Sequence, residues 1–228
     1  MQTRNYFVNS GMFAFRKLFF SVLLMFVATA VTAQTQKTFD LTTLRGWEHS
    51  EATGDLDKDG KADLVIIATP DFKEHIVTEG ERSINYNQPI LAIFRGTGTG
   101  GFTPWKQYDN VIPARPDEYV FIDYEVTVNE RGVIRIMLNT WLSAGSYGTN
   151  NHTYVFRYQD NDFYLIGEDD VNMMRNTGEL ETDSYNYLTN RHQHVVDNAM
   201  KKVKPREKWT KIPAKPLRRL GTWSFDED

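Results

Sequence analysis

The chain has 228 residues, 40% of them hydrophobic, no cysteine and a formal net charge of −4. That length suits one domain able to bury its own core without disulfide staples. The acidic balance excludes a nucleic-acid binder, which needs a basic face to meet phosphates.

Arg16 and Lys17 precede an unbroken apolar run, Leu18 to Ala30, and small residues follow at Val31-Thr32-Ala33. This pattern predicts a secretory signal peptide over residues 1–33, cleaved after Ala33, with residues 1–11 an upstream extension if Met12 is the start. The run falls short of the roughly 20 residues that cross a bilayer, so no membrane span is expected after cleavage. No cysteine follows the run to carry a lipid. Losing Arg4, Arg16 and Lys17 with the signal takes the net charge from −4 to −7. A disulfide-free exported protein points to the periplasm or the exterior of a bacterium.

From residue 34 to residue 200, short apolar or aromatic runs alternate with Gly, Asn, Asp and Pro clusters. The expected fold class is mainly β: a single domain of antiparallel hairpins, built as a sandwich or as partial propeller-like sheets, with few helices. Leu64–Ala68 and Ile90–Phe94 are continuous apolar runs that suit strands buried on both faces. Asp123–Val128 and Val133–Leu138 flank Asn129–Gly132 as a hairpin. Thr153–Tyr158 and Phe163–Gly167 flank Gln159–Asp162 in the same way, and Thr182–Tyr187 and His192–Val196 flank Leu188–Arg191. Residues 201–228 turn rich in Lys, Arg and Pro. They are expected to form an extended C-terminal tail packed on the domain through Trp209, Ile212, Leu217 and Trp223.

The most specific chemistry lies in Gly54-Asp55-Leu56-Asp57-Lys58-Asp59-Gly60-Lys61-Ala62-Asp63. Carboxylates stand at loop positions 1, 3, 5 and 9, with Gly60 at position 6, where the chain must turn sharply. Hard oxygen ligands in that spacing wrap a calcium ion: Asp55, Asp57 and Asp59 by side chain, Lys61 by its carbonyl, Asp63 directly or through water. Ile66, at position 12, cannot supply the bidentate carboxylate of a helical EF-hand, so Asp63 closes the loop and Leu64 leads into a strand. Ca2+ is therefore the expected cofactor. A site whose ligands surround the ion serves structure more readily than catalysis.

The stretch GDLDKDGKADLVII resembles the loop and strand of FG-GAP or VCBS-type repeats, which build the blades of integrin-like β-propellers. One copy is present, and the remaining chain is too short and too free of repeats for a closed propeller. Over most of the mature chain, the order of that loop, QPILAIFRGTGTGGF and an aromatic hairpin of the form YxFRYQxxxFxLIG is similar to a group of bacterial exported proteins and lipoproteins. That resemblance implies no particular activity. The chain departs from the group in lacking a lipid-bearing cysteine and in placing Glu168-Asp169-Asp170 after the hairpin.

Residues 141–151 read as a polar, aromatic loop between strands, with Trp141, Tyr147, Asn150 and Asn151 as a candidate ligand-binding set for a glycan or a protein. The alternative is a connecting loop with Trp141 in the core. Glu168, Asp169 and Asp170 read as a solvated turn at a strand end. His192 and His194 share one strand face as a possible metal pair without an evident third ligand, or as exposed edge-strand histidines. Lys201, Lys202, Lys204, Arg206 and Lys208 form a basic run. No Ser lies in a nucleophile elbow, and no cysteine nucleophile exists. The expectation is thus a monomeric, exported, calcium-binding β domain that acts without catalysis as a binding module for an unidentified protein or glycan. The alternatives are an envelope-polymer hydrolase using Asp123, Glu125 or Glu168–Asp170, and a periplasmic immunity or inhibitor protein.

Overall fold

In the computed structural model, which describes residues 39–222, the chain is built from antiparallel strands and three short 3-10 turns, Leu41–Leu44, Lys73–His75 and Leu220–Thr222. The signal-peptide segment and Trp223 lie outside the described residues. A four-stranded sheet has the order β1 (Glu48–Gly54), β2 (Asp63–Thr69), β5 (Ile90–Gly96), β6 (Phe102–Tyr108). Between β2 and β5 the chain makes a small hairpin, β3 (Ile76–Glu79) with β4 (Arg82–Asn85). A seven-stranded sheet then takes its strands in chain order: β7 (Val120–Val128), β8 (Val133–Leu142), β9 (Gly148–Gln159), β10 (Asp162–Met174), β11 (Glu179–Asn186), β12 (Arg191–Asn198) and β13 (Arg206–Lys211).

The two sheets meet face to face. Val65 and Ile67 of β2 and Leu91 and Ile93 of β5 pack on Val126, Ile134, Ile136, Leu138, Tyr154, Phe156, Phe163 and Leu165 of β7–β10. The opposite face of the small sheet carries Leu64, Ile66, Ala68, Ala92 and Phe94, covered by Phe39, Leu41, Leu44 and Trp47. Strand β2 is therefore buried at every residue. Its unbroken apolar run is what burial on both faces demands. This single domain of antiparallel sheets agrees with the expected fold class. Ser50 joins the sheets at one edge, its Oγ accepting from the Val126 N–H at 3.0 Å.

Three boundaries differ from the sequence reading. Strand β9 begins at Gly148 and β8 runs to Leu142, so only Ser143–Tyr147 lie outside the strands in the region expected to be a loop from 141 to 151. Glu168, Asp169 and Asp170 are not a turn but the middle of β10. The ladder explains it, because β10 pairs with β9 on one side and β11 on the other through these residues. The C-terminal segment contributes β13, an edge strand on β12, and its Trp209 is 54% exposed instead of pinning the tail. Leu220, fully buried, anchors that segment in the core.

An irregularity in β10 sets which side chains face inward. The register against β9 shifts between Leu165 and Gly167, so Ile166 is an extra residue. A bulge of this kind flips the alternation beyond it. Leu165 still faces the core, but Glu168, Asp170 and Asn172 now share a face with Tyr154, His152 and Asn150, while Asp169 turns outward to Arg135 at 3.0 Å. Gly167 sits where an added Cβ would lie 2.6 Å from the Tyr185 carbonyl, so the bulge leaves no room for a side chain.

Candidate metal centre

The Asp55–Asp63 loop connects β1 to β2, and three of its carboxylates converge. Asp55, Asp57 and Asp63 each offer an oxygen, all within 4.8 Å of one another. Gly60 takes φ +85° and Lys58 φ +67°, the left-handed steps that curl the loop around its own carboxylates. Local hydrogen bonds hold the curl: Gly60 N–H donates to Asp55 Oδ2 at 3.1 Å and Asp59 N–H to Asp57 Oδ1 at 3.3 Å.

Asp63 is the anchor. It is 1% exposed, and its two oxygens accept from the Leu56 N–H across the loop and from the Gly96 N–H at the end of β5, both at 3.0 Å. Burial pushes its carboxyl above the ordinary range; the two backbone bonds oppose that shift, and the charges of Asp57 and Asp59 add to it. Crowding acids around a buried carboxylate is unfavourable unless a cation joins them. Asp55 gives the clearest sign of fit, because its Oδ1 is buried without a hydrogen-bond partner among the described residues. A buried, unsatisfied oxygen on one of three converging carboxylates is what a hard dication would satisfy.

Asp59 is placed differently. It is exposed, and its carboxylate holds the Lys61 ammonium at 2.7 Å and the Lys61 N–H at 2.9 Å. These contacts keep its carboxyl below the ordinary range, the side-chain bond to Lys61 foremost. Sequence spacing also missed Arg95, whose Nε lies 3.1 Å from Asp57 Oδ2 while its guanidinium sits 4.0 Å over the Trp105 ring. No local signal could show this, since Arg95 reaches the loop from β5.

The other candidates are scattered. Trp141 lies in β8 and stacks on Phe121 at 4.2 Å. Tyr147 is 61% exposed at the end of the Ser143–Tyr147 loop, just before β9. Neighbouring residues in β9 point to opposite faces: Asn150 donates to Asp170 and Asn172 on the inner face, whereas Asn151 donates to Met137 Sδ on the other. Glu168, 7% exposed, accepts from the Tyr187 hydroxyl, with His152 Nε2 at 3.4 Å and Arg218 at 3.9 Å. His192 and His194 are not free edge residues, since Asp183 Oδ1 lies 2.6 Å from His192 Nε2 and 2.9 Å from His194 Nδ1.

Among the described residues no helix is long and apolar enough to cross a membrane. No curated protein and no solved structure matches the chain. A model of the FG-GAP repeat matches residues 49–80, which span β1, the acidic loop, β2 and β3. Such repeats often bind calcium, and they belong in general to non-enzymatic binding and adhesion domains that are typically extracellular. The chain thus carries an FG-GAP repeat, which suggests a β-rich binding or interaction module.

Proposed function

We propose that this protein is an exported, calcium-stabilised β module that binds a protein or glycan partner and performs no catalysis itself. The observation that carries the calcium assignment is the convergence of Asp55, Asp57 and Asp63, one of which carries a buried oxygen, Asp55 Oδ1, without a partner among the described residues. The ion would tie β1, β2 and, through Asp63 and Gly96, β5 to one point, which is a structural clip and not an open Lewis-acid position. Lys61 would add its carbonyl, and Asp59 would join by leaving Lys61.

Recognition would fall to the end of the large sheet around the Ser143–Tyr147 loop. Arg175 supports this reading by donating to the carbonyls of Leu142, Ser146 and Tyr147 at 3.2 to 3.4 Å, which holds exposed Tyr147 in place. Presenting an aromatic ring on a pre-ordered loop lowers the entropy lost on binding. Trp141, Asn150 and Asn151 would support that loop from β8 and β9.

Thermal unfolding in EDTA and then in millimolar calcium tests the clip. A ligand that binds only the folded state raises the midpoint by mass action. An unchanged midpoint would remove calcium from the proposal. Retention on a glycan array or by an envelope protein, lost in Tyr147→Ala, tests the binding role.

A further inference from the structure

The large sheet has an outward face as well as the one that builds the core, and the alternation of its strands decides what stands there. Across β10–β13, Asp169, Ser184, Gln193 and Trp209 follow one another in register, and Gly167, Asn186, Arg191 and Lys211 form the next row. Neither hydrophobic cluster takes a residue from these rows. They border a groove of about 620 Å3, whose floor reaches Val155 and Arg135 and whose rim includes the β11–β12 turn. That volume is in the range of small-ligand sites. Two large apolar side chains line the groove and are open to solvent, Trp209 at 54% and Leu188 at 45%.

Trp209 is held as a platform. Its indole N–H donates to Glu207, two residues earlier on the same face of β13, which steadies the ring. The face of an indole is apolar and electron-rich, so it stacks on the C–H groups that one side of a pyranose ring presents. The hydroxyls at the edge of such a sugar need hydrogen-bonding neighbours, and the groove supplies them. Gln193 is the direct cross-strand partner of Trp209, and Ser184 that of Gln193. Both line the groove, and neither side chain has a hydrogen-bond partner among the described residues. Asp169, held by Arg135 at 3.0 Å, adds an acceptor beside them.

Charge supplies an independent argument. Arg191 and Lys211 are direct cross-strand partners, and like charges in that relation destabilise a sheet. Neither forms an ion pair among the described residues, although the chain as a whole is acidic. Along β13 the outward face reads Glu207, Trp209, Lys211, so the indole has its acid at one end and the two cations at the other. A carboxylate brought to that end would offset the repulsion and accept charge-assisted hydrogen bonds from the Arg191 guanidinium.

We propose that the groove beside Trp209 binds a short acidic oligosaccharide of the uronic-acid class. A sugar ring would stack on the indole, its hydroxyls would meet Gln193 and Ser184, and its carboxylate would lie at Arg191 and Lys211. The site extends the glycan role proposed above to a second surface and uses no residue of the Ser143–Tyr147 loop. A nucleic-acid strand fits less well, since it calls for successive aromatic platforms along a continuous basic track, whereas here one tryptophan stands between Glu207 and the cations.

The test titrates trimers of galacturonate, glucuronate and mannuronate into the purified protein by calorimetry, with matched calcium in both solutions. At least one trimer is expected to bind, one per chain, and more weakly as salt rises. Trp209→Ala should weaken it about ten-fold or more, and Arg191→Gln and Lys211→Gln about two- to five-fold each. The methyl ester of the same trimer, which lacks the charge, should lose about as much as these two variants together. Tyr147→Ala should leave the affinity unchanged. Should Trp209→Ala fail to fold, NMR of the wild-type protein reads the same point, since the trimer must shift the Trp209 indole N–H signal. Three results overturn the proposal: no trimer binds, the ester binds as well as the acid, or binding ignores Trp209. An oligothymidylate bound at least as tightly as the best trimer also overturns it, in favour of a phosphate-strand surface. A loss of trimer binding in Tyr147→Ala but not in Trp209→Ala would move the glycan to the Ser143–Tyr147 loop, sinking this site and sparing the earlier reading.

Discussion

Arg95 holds Asp57 at 3.1 Å, placing a guanidinium against one of the three carboxylates that would receive calcium. The arginine and the ion compete for the same charge. Arg95→Gln is therefore expected to tighten calcium about three- to ten-fold, the scale of a partly exposed charge pair. Competition against a chelator of known affinity measures it; weaker binding would mean that Arg95 serves mainly to orient Asp57.

The acids of the loop are not equivalent. Asp55→Asn should abolish the calcium-dependent rise in unfolding midpoint, because it alters the buried carboxylate whose Oδ1 has no partner. Asp59→Asn should weaken calcium less, since exposed Asp59 must give up its contact with Lys61 before it joins the ion. Calorimetric titration of both variants checks the ranking. Equal losses would show that parting from Lys61 costs Asp59 little.

Two half-buried tyrosines make opposite predictions. The Tyr124 hydroxyl donates to the Pro113 carbonyl at 2.9 Å, whereas the Tyr108 hydroxyl is buried without a partner among the described residues. Tyr124→Phe should cost about 1 kcal/mol in denaturant unfolding, and Tyr108→Phe should be neutral or stabilising. Burial raises both phenols well above the ordinary tyrosine value, with nearby carboxylates adding to it. A phenol with a raised folded pKa contributes stability that is intact below about pH 10 and lost as pH climbs toward the folded value. Ultraviolet titration should accordingly show these two ionising only as the chain unfolds.

Gly132 ties the β7–β8 turn to the acidic loop. It has φ +67°, and an added Cβ would stand 2.2 Å from the Asp55 carbonyl oxygen. Gly132→Ala should cost at least about 2 kcal/mol and weaken calcium, because backbone must move on both sides. Gly46→Ala, at φ +93° with nothing within 4 Å, should carry the backbone cost alone and leave calcium unaffected. Parallel unfolding and calcium titrations separate the two effects.

The acidic loop was legible because its information is local: four acids and a glycine within nine residues. The buried strand Leu64–Ala68 was legible because burial on both faces suppresses alternation. The inner face of the large sheet was hidden by register. The sequence reading placed the last hairpin loop at Leu188–Arg191, but Asn186 Oδ1 accepts from the Leu188 and Thr189 N–H groups and starts the loop one residue earlier. That change puts Tyr185 opposite His192 and Asp183 opposite His194, so that one carboxylate engages both imidazoles, a contact that spacing alone did not reveal. The bulge at Ile166 is equally silent, and it converts Glu168 and Asp170 from expected turn residues into inward-facing ones.

The large sheet takes its strands in the order in which the chain delivers them, and every pairing in both sheets is antiparallel. Each pairing step from β8 onward closes only a short stretch of chain, so little loop entropy is lost before its ladder forms. A β protein dominated by distant pairings is slow to fold; here the sequence separation is small at nearly every step. The long-range step that remains is laying the small sheet on the large one, where Ser50 reaches Val126 across 76 residues. The rate of folding should thus be governed by the docking of two ready-made layers rather than by strand search.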